Sequence, residues 1–535
     1  MSRGRGLLAL LVGGALLAFD ASCSFVVDTS ADQCQTDGDC ASRGFDGWFC
    51  AADKICRCKT NKACKVRLGT DAVCYAGSCA ALKSEDCQTV YMRPNDLDRD
   101  DAVVIGWMAP IVGENKSLVE PQLNAVDLAR RDFADGLPPV KDGSPNRPLV
   151  VLACNDGANA LRAAKHLVED VHVPAIIGPA FSGVLKTIAT EETIPKKTLL
   201  LSASATSPLI TGLVDDGLVW RTCPSDAAQA IAMAQLVSTK VEADARKAFG
   251  LAVDDPSLRV MVVAKGDAYG LGLANALFDR LVFNKKSAAD NGPALYKRVN
   301  YGDPTKDDAA TLTASYANAV KAALDFKPHI LLTVGTSEAV TSILTEVEKS
   351  WPAGARPRHL VSDGLQLPEL AALARGNDMR TRLFGSIAGT DSPLGKKFRD
   401  AYNGAGFTAK PDAYAASAYD ALYLLAYAVV GAGAKPITGP QLATALALTI
   451  PGTGAVPIKA GPEAIGTAMT ALRTGGRIDY DGASGPLDFD LATGEAVADI
   501  QIWCVTPSAA AEPFANVGIF RAAGGVIDGT LVCPP

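Results

Sequence analysis

The chain has 535 residues, more than a single hydrophobic core usually serves, so two or more folded units are expected. Its formal net charge of −7 disfavours nucleic acids and anionic membrane surfaces as partners. Four histidines in the whole chain leave little material for a histidine-based metal or catalytic centre. No metal site, no cofactor and no nucleic-acid partner is therefore predicted.

The first 23 residues have the pattern of an export signal. Arg3 and Arg5 form a basic start, and the apolar run Leu7–Phe19 is shorter than the roughly 20 residues that a membrane-spanning helix needs. The sequence Ala-Ser-Cys at 21–23 resembles the end of a bacterial lipoprotein signal, in which Cys23 becomes the lipidated first residue. The chain is predicted to be exported to the periplasm or cell envelope and anchored by lipid at Cys23, with simple secretion as the alternative.

Cysteine is concentrated just after a short tether over residues 24–33. Nine cysteines lie within residues 34–87, a density far above the one that marks a disulfide-stabilised domain. Zinc is the competing interpretation, but the spacing lacks paired C-x2-C knuckles, and an exported chain meets an oxidising compartment. The prediction is a Cys-rich disulfide module. Of the 14 cysteines, 13 remain once Cys23 is set aside, so at least one thiol is unpaired or bonded elsewhere.

Residues 88–101 form an acidic stretch that is predicted to be a solvated linker. A calcium-binding loop is the alternative, because Asp96, Asp98 and Asp100 match its first ligand positions. However, Asp101 stands where that loop needs glycine, and Trp107 stands where it needs glutamate. The sequence therefore favours a linker.

From residue 102 onward, short apolar strands alternate with segments of helical periodicity. This alternation predicts parallel sheets covered by helices on both faces. This alternation of strands and helices occurs in two successive series along the chain. The two series predict two Rossmann-like α/β lobes that follow the Cys-rich module. The first lobe is assigned residues 102–225 and 390–483, and the second lobe residues 226–389 and 484–535.

Ligands of open parallel sheets bind at the carboxyl ends of the strands, so the strand-to-helix loops are the candidate sites. Loop 178–183 carries Ser182 at a helix start, and loop 202–208 follows the next strand with several hydroxyls. Free backbone N–H groups there suit an anion, although ordinary capping explains either loop alone. In the second series, Tyr269 is an aromatic platform or a core residue. Asp363 offers a carboxylate to a ligand cation, or forms a turn with the glycine after it.

These segments resemble the type I periplasmic binding proteins, in particular those that serve branched-chain amino acid ABC transporters. The resemblance covers about residues 102–520 and rests on seven short motifs in family order: VVIGWMAP, IIGPAFSG, LLSASATSPLIT, VWRTCPSD, VVAKGDAYGLGLANAL, AYDALYLLAYAV and SGPLDFDLATGEAVADIQIW. It implies two lobes joined by three crossovers, with the ligand bound between the lobes. The crossovers are expected near residues 224–226, 388–391 and 482–486.

The resemblance also implies roles for particular residues. Ser182 and Thr206 would hold a ligand carboxylate, and the Ser204 carbonyl would receive the ligand ammonium. Asp363 would pair that ammonium from the second lobe, where Tyr269 would stack on the ligand. The full set of ligand-binding residues carried over by motif is Ser182, Ser204, Ala205, Thr206, Tyr269, Thr336 and Asp363.

Three departures from the family pattern leave the ligand open. Thr336 lies in a loop where the family often has an aromatic residue, and Asp363 replaces the longer glutamate of the branched-chain binders. Phe181 stands where those proteins have a disulfide cysteine, so Cys154 cannot form the family's usual bridge.

The function predicted from these features is capture of an amino acid or related small polar ligand by cleft closure, for delivery to an ABC transporter permease. No G-x-S-x-G, H-E-x-x-H or P-loop motif occurs, so an enzyme is not predicted. One alternative is a ligand sensor or envelope scaffold that docks through the Cys-rich module. Another is a lobe pair that binds nothing.

Overall fold

The computed structural model describes residues 32–113, 115–141, 143–433, 437–508 and 512–535. The predicted signal over residues 1–23, with its lipidation site at Cys23, and most of the tether lie outside the described residues. Two eight-stranded sheets, each covered by helices, follow a small Cys-rich module. The predicted class, two Rossmann-like lobes behind a disulfide module, is confirmed.

The Cys-rich module consists of two tandem copies of one unit, each a short helix followed by an antiparallel hairpin. Its helices and strands are Asp37–Ser42, Trp48–Cys50 and Cys56–Cys58 in the first copy, and Asn61–Leu68, Ala72–Tyr75 and Ser78–Ala81 in the second. Within each copy, disulfides join the first cysteine to the third and the second to the fourth: Cys34–Cys50, Cys40–Cys56, Cys58–Cys74 and Cys64–Cys79. These bonds use the cysteine sulfurs that zinc would need.

Equivalent hydrogen bonds support the repeat. Asp37 Oδ1 accepts from the Cys50 backbone N–H at 2.9 Å, and Asn61 Oδ1 accepts from the Cys74 N–H at 2.8 Å in the second copy. The two copies bury little apolar surface beyond the half-buried Trp48 and the disulfides. Cross-linking of short loops is therefore the main source of stability in this module.

The acidic segment 88–101 is not a solvated linker. Thr89–Tyr91 forms an edge strand of the first lobe's sheet, antiparallel to Leu149–Asn155. The Asp98 carboxylate pairs with Lys65 at 2.6 Å, and Asp100 accepts the Asn61 N–H at 2.7 Å. The linker prediction is wrong because part of the segment pairs with the sheet and the exposed Asp98 and Asp100 carboxylates bind donors of the module.

The module is fixed to the first lobe by further contacts. A disulfide joins Cys87 to Cys154 on the neighbouring strand, a pairing that the sequence did not specify. Arg162 binds the Asp86 carboxylate with two nitrogens at 2.6 and 2.8 Å. Another disulfide, Cys504–Cys533, holds the end of the chain, and Cys223 is a buried free thiol, as the odd cysteine count requires.

The sheet of the first lobe has a parallel centre and antiparallel edges. From edge to edge its strands are Phe489–Asp490, Glu495–Ala496, Val219–Arg221, Leu199–Ser202, Ala175–Ile177, Val103–Ala109, Leu149–Asn155 and Thr89–Tyr91. The helices and helical turns of this lobe are Lys116–Asp132, Ala160–Lys165, Ser182–Ile188, Pro208–Thr211, Pro393–Gly404, Ala413–Gly431, Gly439–Leu446 and Ile465–Arg473.

The sheet of the second lobe has five parallel strands followed by three antiparallel ones. In spatial order they are Tyr296–Tyr301, Val260–Lys265, Ile330–Val334, Arg358–Val361, Leu383–Ala388, Ile500–Val505, Phe514–Arg521 and Val526–Gly529. Its main helices are Asp226–Leu236, Glu242–Phe249, Ala268–Arg280, Ala288–Leu295, Ala309–Phe326, Thr345–Ser350 and Pro368–Arg375.

Three crossovers connect the lobes, and the third lies further along the chain than predicted. The strands Phe489–Asp490 and Glu495–Ala496 still belong to the first sheet, where Glu495 stands in register with Arg221. The chain therefore crosses at 497–499, and not near 482–486, before Ile500–Val505 enters the second sheet. The buried Arg221 guanidinium forms an ion pair with Glu495, which fixes these two-residue strands.

Among the described residues, the helix Ala413–Gly431 has the length and apolar composition to cross a membrane. This helix is buried against Lys116–Asp132 and the sheet of the first lobe. Its composition is therefore explained as that of a core helix. Asp420 within it accepts hydrogen bonds from Tyr480, Ala483 and Ser484, and so ties the helix to the strand Ile478–Asp481, which pairs with Val456–Lys459, and to the loop after it.

Candidate ligand-binding site

A small cavity of about 30 Å³ lies between the lobes, at the carboxyl ends of both parallel sheets. Five of the seven predicted ligand residues line it: Ser182, Ser204, Tyr269, Thr336 and Asp363. The other lining residues are Leu118, Val119, Gln122, Ala180, Phe181, Gly364 and Tyr414. Ala205 and Thr206 are buried but are not part of the wall.

The wall from the first lobe consists of the two loops predicted from sequence, brought side by side because their strands are adjacent and parallel. Ser182 begins a helix, and its Oγ accepts the backbone N–H of Ser207 at 3.2 Å. Ser204 Oγ lies 3.1 Å from both Gln122 Oε1 and the Ala180 carbonyl. These contacts orient the hydroxyls without using any charged group.

Arg221 supports the second loop from behind. Its Nη1 donates to the carbonyls of Ala205 and Ser207 at 3.1 and 2.9 Å, while Nη2 pairs with Glu495. Ala205 therefore contacts Arg221 through its backbone carbonyl. The Thr206 hydroxyl lies beside the Asp226 carboxylate.

Asp363 provides the principal charge of the cavity. Tyr269 donates to its Oδ1 at 2.6 Å, and Tyr414, from the first lobe, donates to its Oδ2 at 2.5 Å. Burial and the neighbouring carboxylate raise the pKa of both tyrosines well above the usual value, so both stay hydroxyl donors. No cation pairs with Asp363 among the described residues. Tyr269 was predicted to stack on a ligand, and here its hydroxyl orients the carboxylate.

A second buried acid, Asp226, was missed by the sequence analysis. It is 1% exposed, follows the first crossover, and donates its backbone N–H to the Thr206 carbonyl at 2.8 Å. Burial, and then repulsion from Asp363, raise the pKa of its carboxyl well above the usual value, and a hydrogen bond from the Thr206 hydroxyl opposes part of this shift. The sequence analysis assigned this position to the first crossover, and no local feature of the sequence indicates where its carboxylate lies.

The cation nearest the cleft, Lys265, is already compensated. Its Nζ lies 3.0 Å from Thr336 Oγ1, 3.4 Å from Asp267 and 3.7 Å from Glu338. The same ammonium stands 5.4 Å from the ring centroid of Phe181, across the boundary between the lobes. The described cavity therefore has an excess of negative charge on the side of the second lobe.

The lobes contact each other directly around the cavity. Ser207 Oγ donates to the Ala268 carbonyl at 2.7 Å, and Ser337 Oγ lies 3.0 Å from Asn115 Oδ1. Together with the bond from Tyr414 to Asp363, these contacts describe a closed cleft. The described lining has hydroxyls on one side and a carboxylate on the other, which can hold a small polar molecule by complementary charge.

Two α/β lobes with a cavity at the carboxyl ends of both sheets, lined by hydroxyls, a carboxylate and apolar side chains, define a two-lobed ligand-binding protein. Residues 102–510 match the family model described as periplasmic binding protein, and the chain belongs to this family. The resemblance seen in the motifs is thereby confirmed. The family and its solved structures are binding proteins, and its periplasmic character implies an exported chain.

One relative is a chemotactic signal transduction system substrate-binding protein, BasB, from Halobacterium salinarum. It is 33% identical over 187 residues, which are 34% of this chain and 41% of the relative. The chain thus spans about two fifths of the length of that protein. The match supports a binding function without assigning a ligand.

Solved structures share the fold. A leucine-binding protein, LivK, from Thermotoga maritima is 19% identical with a TM-score of 0.55, covering 81% of this chain and 99% of that one. LivJ from Streptococcus pneumoniae, in complex with isoleucine, is 19% identical with a TM-score of 0.53, covering 78% and 99%. A solute-binding protein from Rhodopseudomonas palustris, in complex with 3,4-dihydroxybenzoic acid, is 16% identical with a TM-score of 0.56, covering 79% and 98%.

Proposed function

We propose that this protein captures an amino acid or a similar small amino compound in the interlobe cleft and holds it by closure, without chemistry. The observation that carries the proposal is the Asp363 carboxylate, which lines the cavity and accepts hydrogen bonds from the Tyr269 and Tyr414 hydroxyls. A buried carboxylate without a cation is costly, and a ligand ammonium would compensate it.

The opposite wall supports binding of the ligand's anionic end. The Ser182 hydroxyl proton is free to donate, since its oxygen accepts from Ser207. Ser204 and Gln122 add further polar atoms. Asp226 lies behind Thr206, and burial and the neighbouring Asp363 raise its pKa, which favours the neutral acid at this wall. The ligand would thus link an oxygen-rich wall to an acidic one and favour the closed form.

The proposed setting is the periplasm or cell envelope, with a lipid anchor at Cys23 and an ABC transporter permease as the partner. The six disulfides of the described chain are typical of an oxidising compartment. Delivery to a permease accords with the solute-binding proteins that share the fold. The coupling between closure and delivery remains part of the proposal.

A ligand sensor or envelope scaffold is the second candidate, because the Cys-rich module is fixed to one lobe alone. Its bonds to Cys154, Arg162 and His166 all lie in the first lobe. When the cleft closes, the second lobe would therefore move relative to a partner bound to the module. The relative from Halobacterium salinarum serves chemotactic signalling, which makes this role a reasonable alternative for this chain.

A thermal-shift screen of the chain lacking residues 1–23 tests capture, with amino acids, short amides, small carboxylates and nucleobases as probes. We expect a concentration-dependent rise in Tm for amino compounds. Asp363→Asn and Ser182→Ala should each weaken binding by about tenfold or more, since each removes a hydrogen bond to a charged group. Asp279→Asn, at an exposed helical position, is the matched control and should bind as the wild type does. A ligand that binds equally well to Asp363→Asn would contradict the proposal.

A further inference from the structure

The closed cleft has very little free space. Its cavity of about 30 Å³ contrasts with the roughly 300 Å³ or more of most small-molecule sites. Ser207 and Asn115 of the first lobe contact the second lobe directly in this closed state. A ligand that keeps these contacts must be small.

Phe181 is the largest purely apolar side chain of the lining. It stands just before the helix Ser182–Ile188, and its ring packs against the core of the first lobe. Phe181 lines the same cavity as Ser182 and Asp363, so its ring borders a ligand held between those two residues. Its ring reduces the volume that the cleft offers to the side chain of a ligand.

The Phe181 ring is held in place from the opposite lobe. The Lys265 ammonium lies 5.4 Å from the ring centroid and is 2% exposed. Thr336, Asp267 and Glu338 fix that ammonium at 3.0, 3.4 and 3.7 Å. Displacing the ring would remove a cation–π contact from a buried charge that cannot follow it. The wall is therefore rigid when the lobes are closed.

We propose that Phe181 limits the ligand to amino compounds of about the size of glycine, alanine or serine. The inference rests on the proposed function for the amino group and adds the size class. A branched or aromatic side chain would have to displace the ring or hold the lobes apart. Either change loses the contacts that close the cleft, so larger ligands bind weakly.

Calorimetric titration of the chain lacking residues 1–23 with glycine, alanine, serine, valine and leucine tests this limit. We expect the wild type to bind alanine at least 100-fold more tightly than leucine, because misfits of several methyl groups carry penalties of this order. Phe181→Ala opens on the order of 100 Å³ and should reduce that ratio to less than about tenfold, mainly by a gain in leucine binding. Phe181→Leu should be intermediate, and it replaces the alanine variant if that protein does not fold.

Phe326→Ala is the matched control. Phe326 is also half-buried, with Lys297 Nζ 5.8 Å from its ring centroid, but it lies at the end of a helix away from the cavity. Its ligand preference should equal that of the wild type. Wild-type protein that binds leucine as tightly as alanine, or an unchanged ratio in both Phe181 variants, would overturn the size limit while leaving amino-acid capture intact. Absence of binding by any of the five amino acids would instead refute the proposed function, and with it the limit.

Discussion

The buried ion cluster around Glu348 gives a sharp test of how the second lobe is stabilised. Glu348 is 3% exposed and receives His359 Nε2 at 2.8 Å, Arg382 Nη2 at 2.7 Å and Arg356 Nη1 at 2.9 Å. Burial alone would raise the pKa of this carboxyl, but the bonds from His359 and Arg382 lower it far below its usual range. The carboxylate is thus charged at all ordinary pH values and neutralises the buried Arg382.

Glu348→Gln retains the shape but leaves the cations around it without their common counter-charge. Breaking a buried ion pair from one side costs about 3–5 kcal/mol. At roughly 2–4 °C per kcal/mol for a lobe of this size, the Tm of the second lobe should fall by about 6–20 °C. Differential scanning calorimetry of the wild type and the variant at pH 7 measures this change.

Glu346→Gln on the same helix is the control, because the half-buried Glu346 pairs with the exposed Lys349 at 3.3 Å. Its expected cost is below about 1 kcal/mol. The cluster lies at the amino end of the strand Arg358–Val361, opposite the cleft, so folded Glu348→Gln should retain its ligand affinity. Equal Tm values for the two variants would refute the assignment of the cluster as a stabilising element.

Two further predictions concern the module seam and pH. The double variant Cys87→Ser/Cys154→Ser removes the disulfide that closes a loop with a sequence separation of 67. It should lower the unfolding free energy of the first lobe by about 4 kcal/mol, measured by chemical denaturation. An unchanged denaturation midpoint would argue that the ion pairs between module and lobe hold them together without the disulfide. Burial lowers the pKa of His329 to about 4 from 6.5, so the unfolded chain takes up a proton before the folded chain does, and stability should fall as pH decreases from 6.5 to 4. His329→Gln, which keeps an acceptor for the Arg259 N–H, should flatten the Tm profile in that window, and an unaltered profile would exclude His329 as its source.

The recognition loops could be predicted because they are local features. Loops 178–183 and 202–208 follow apolar strands directly, and parallel strands bring such loops to the same edge of the sheet. Five predicted residues, including Ser182 and Asp363, therefore meet at one cavity. Tyr414, in the first turn of the helix Ala413–Gly431, escaped prediction. Its contact with Asp363 joins residues 51 positions apart on different lobes, and nothing local marks it.

The sequence by itself determined the class of the fold, the disulfide character of the module and the strand-end loops, because hydrophobic period, cysteine density and turn residues act over short distances. Only the tertiary structure decided that Cys87 bonds to Cys154, that the acidic segment pairs with the module, and that the third crossover follows Glu495. It also placed Asp226 beside Asp363 as a second buried acid. Each of these depends on residues far apart in the chain, whose partners are chosen by packing and by the need to satisfy buried polar groups.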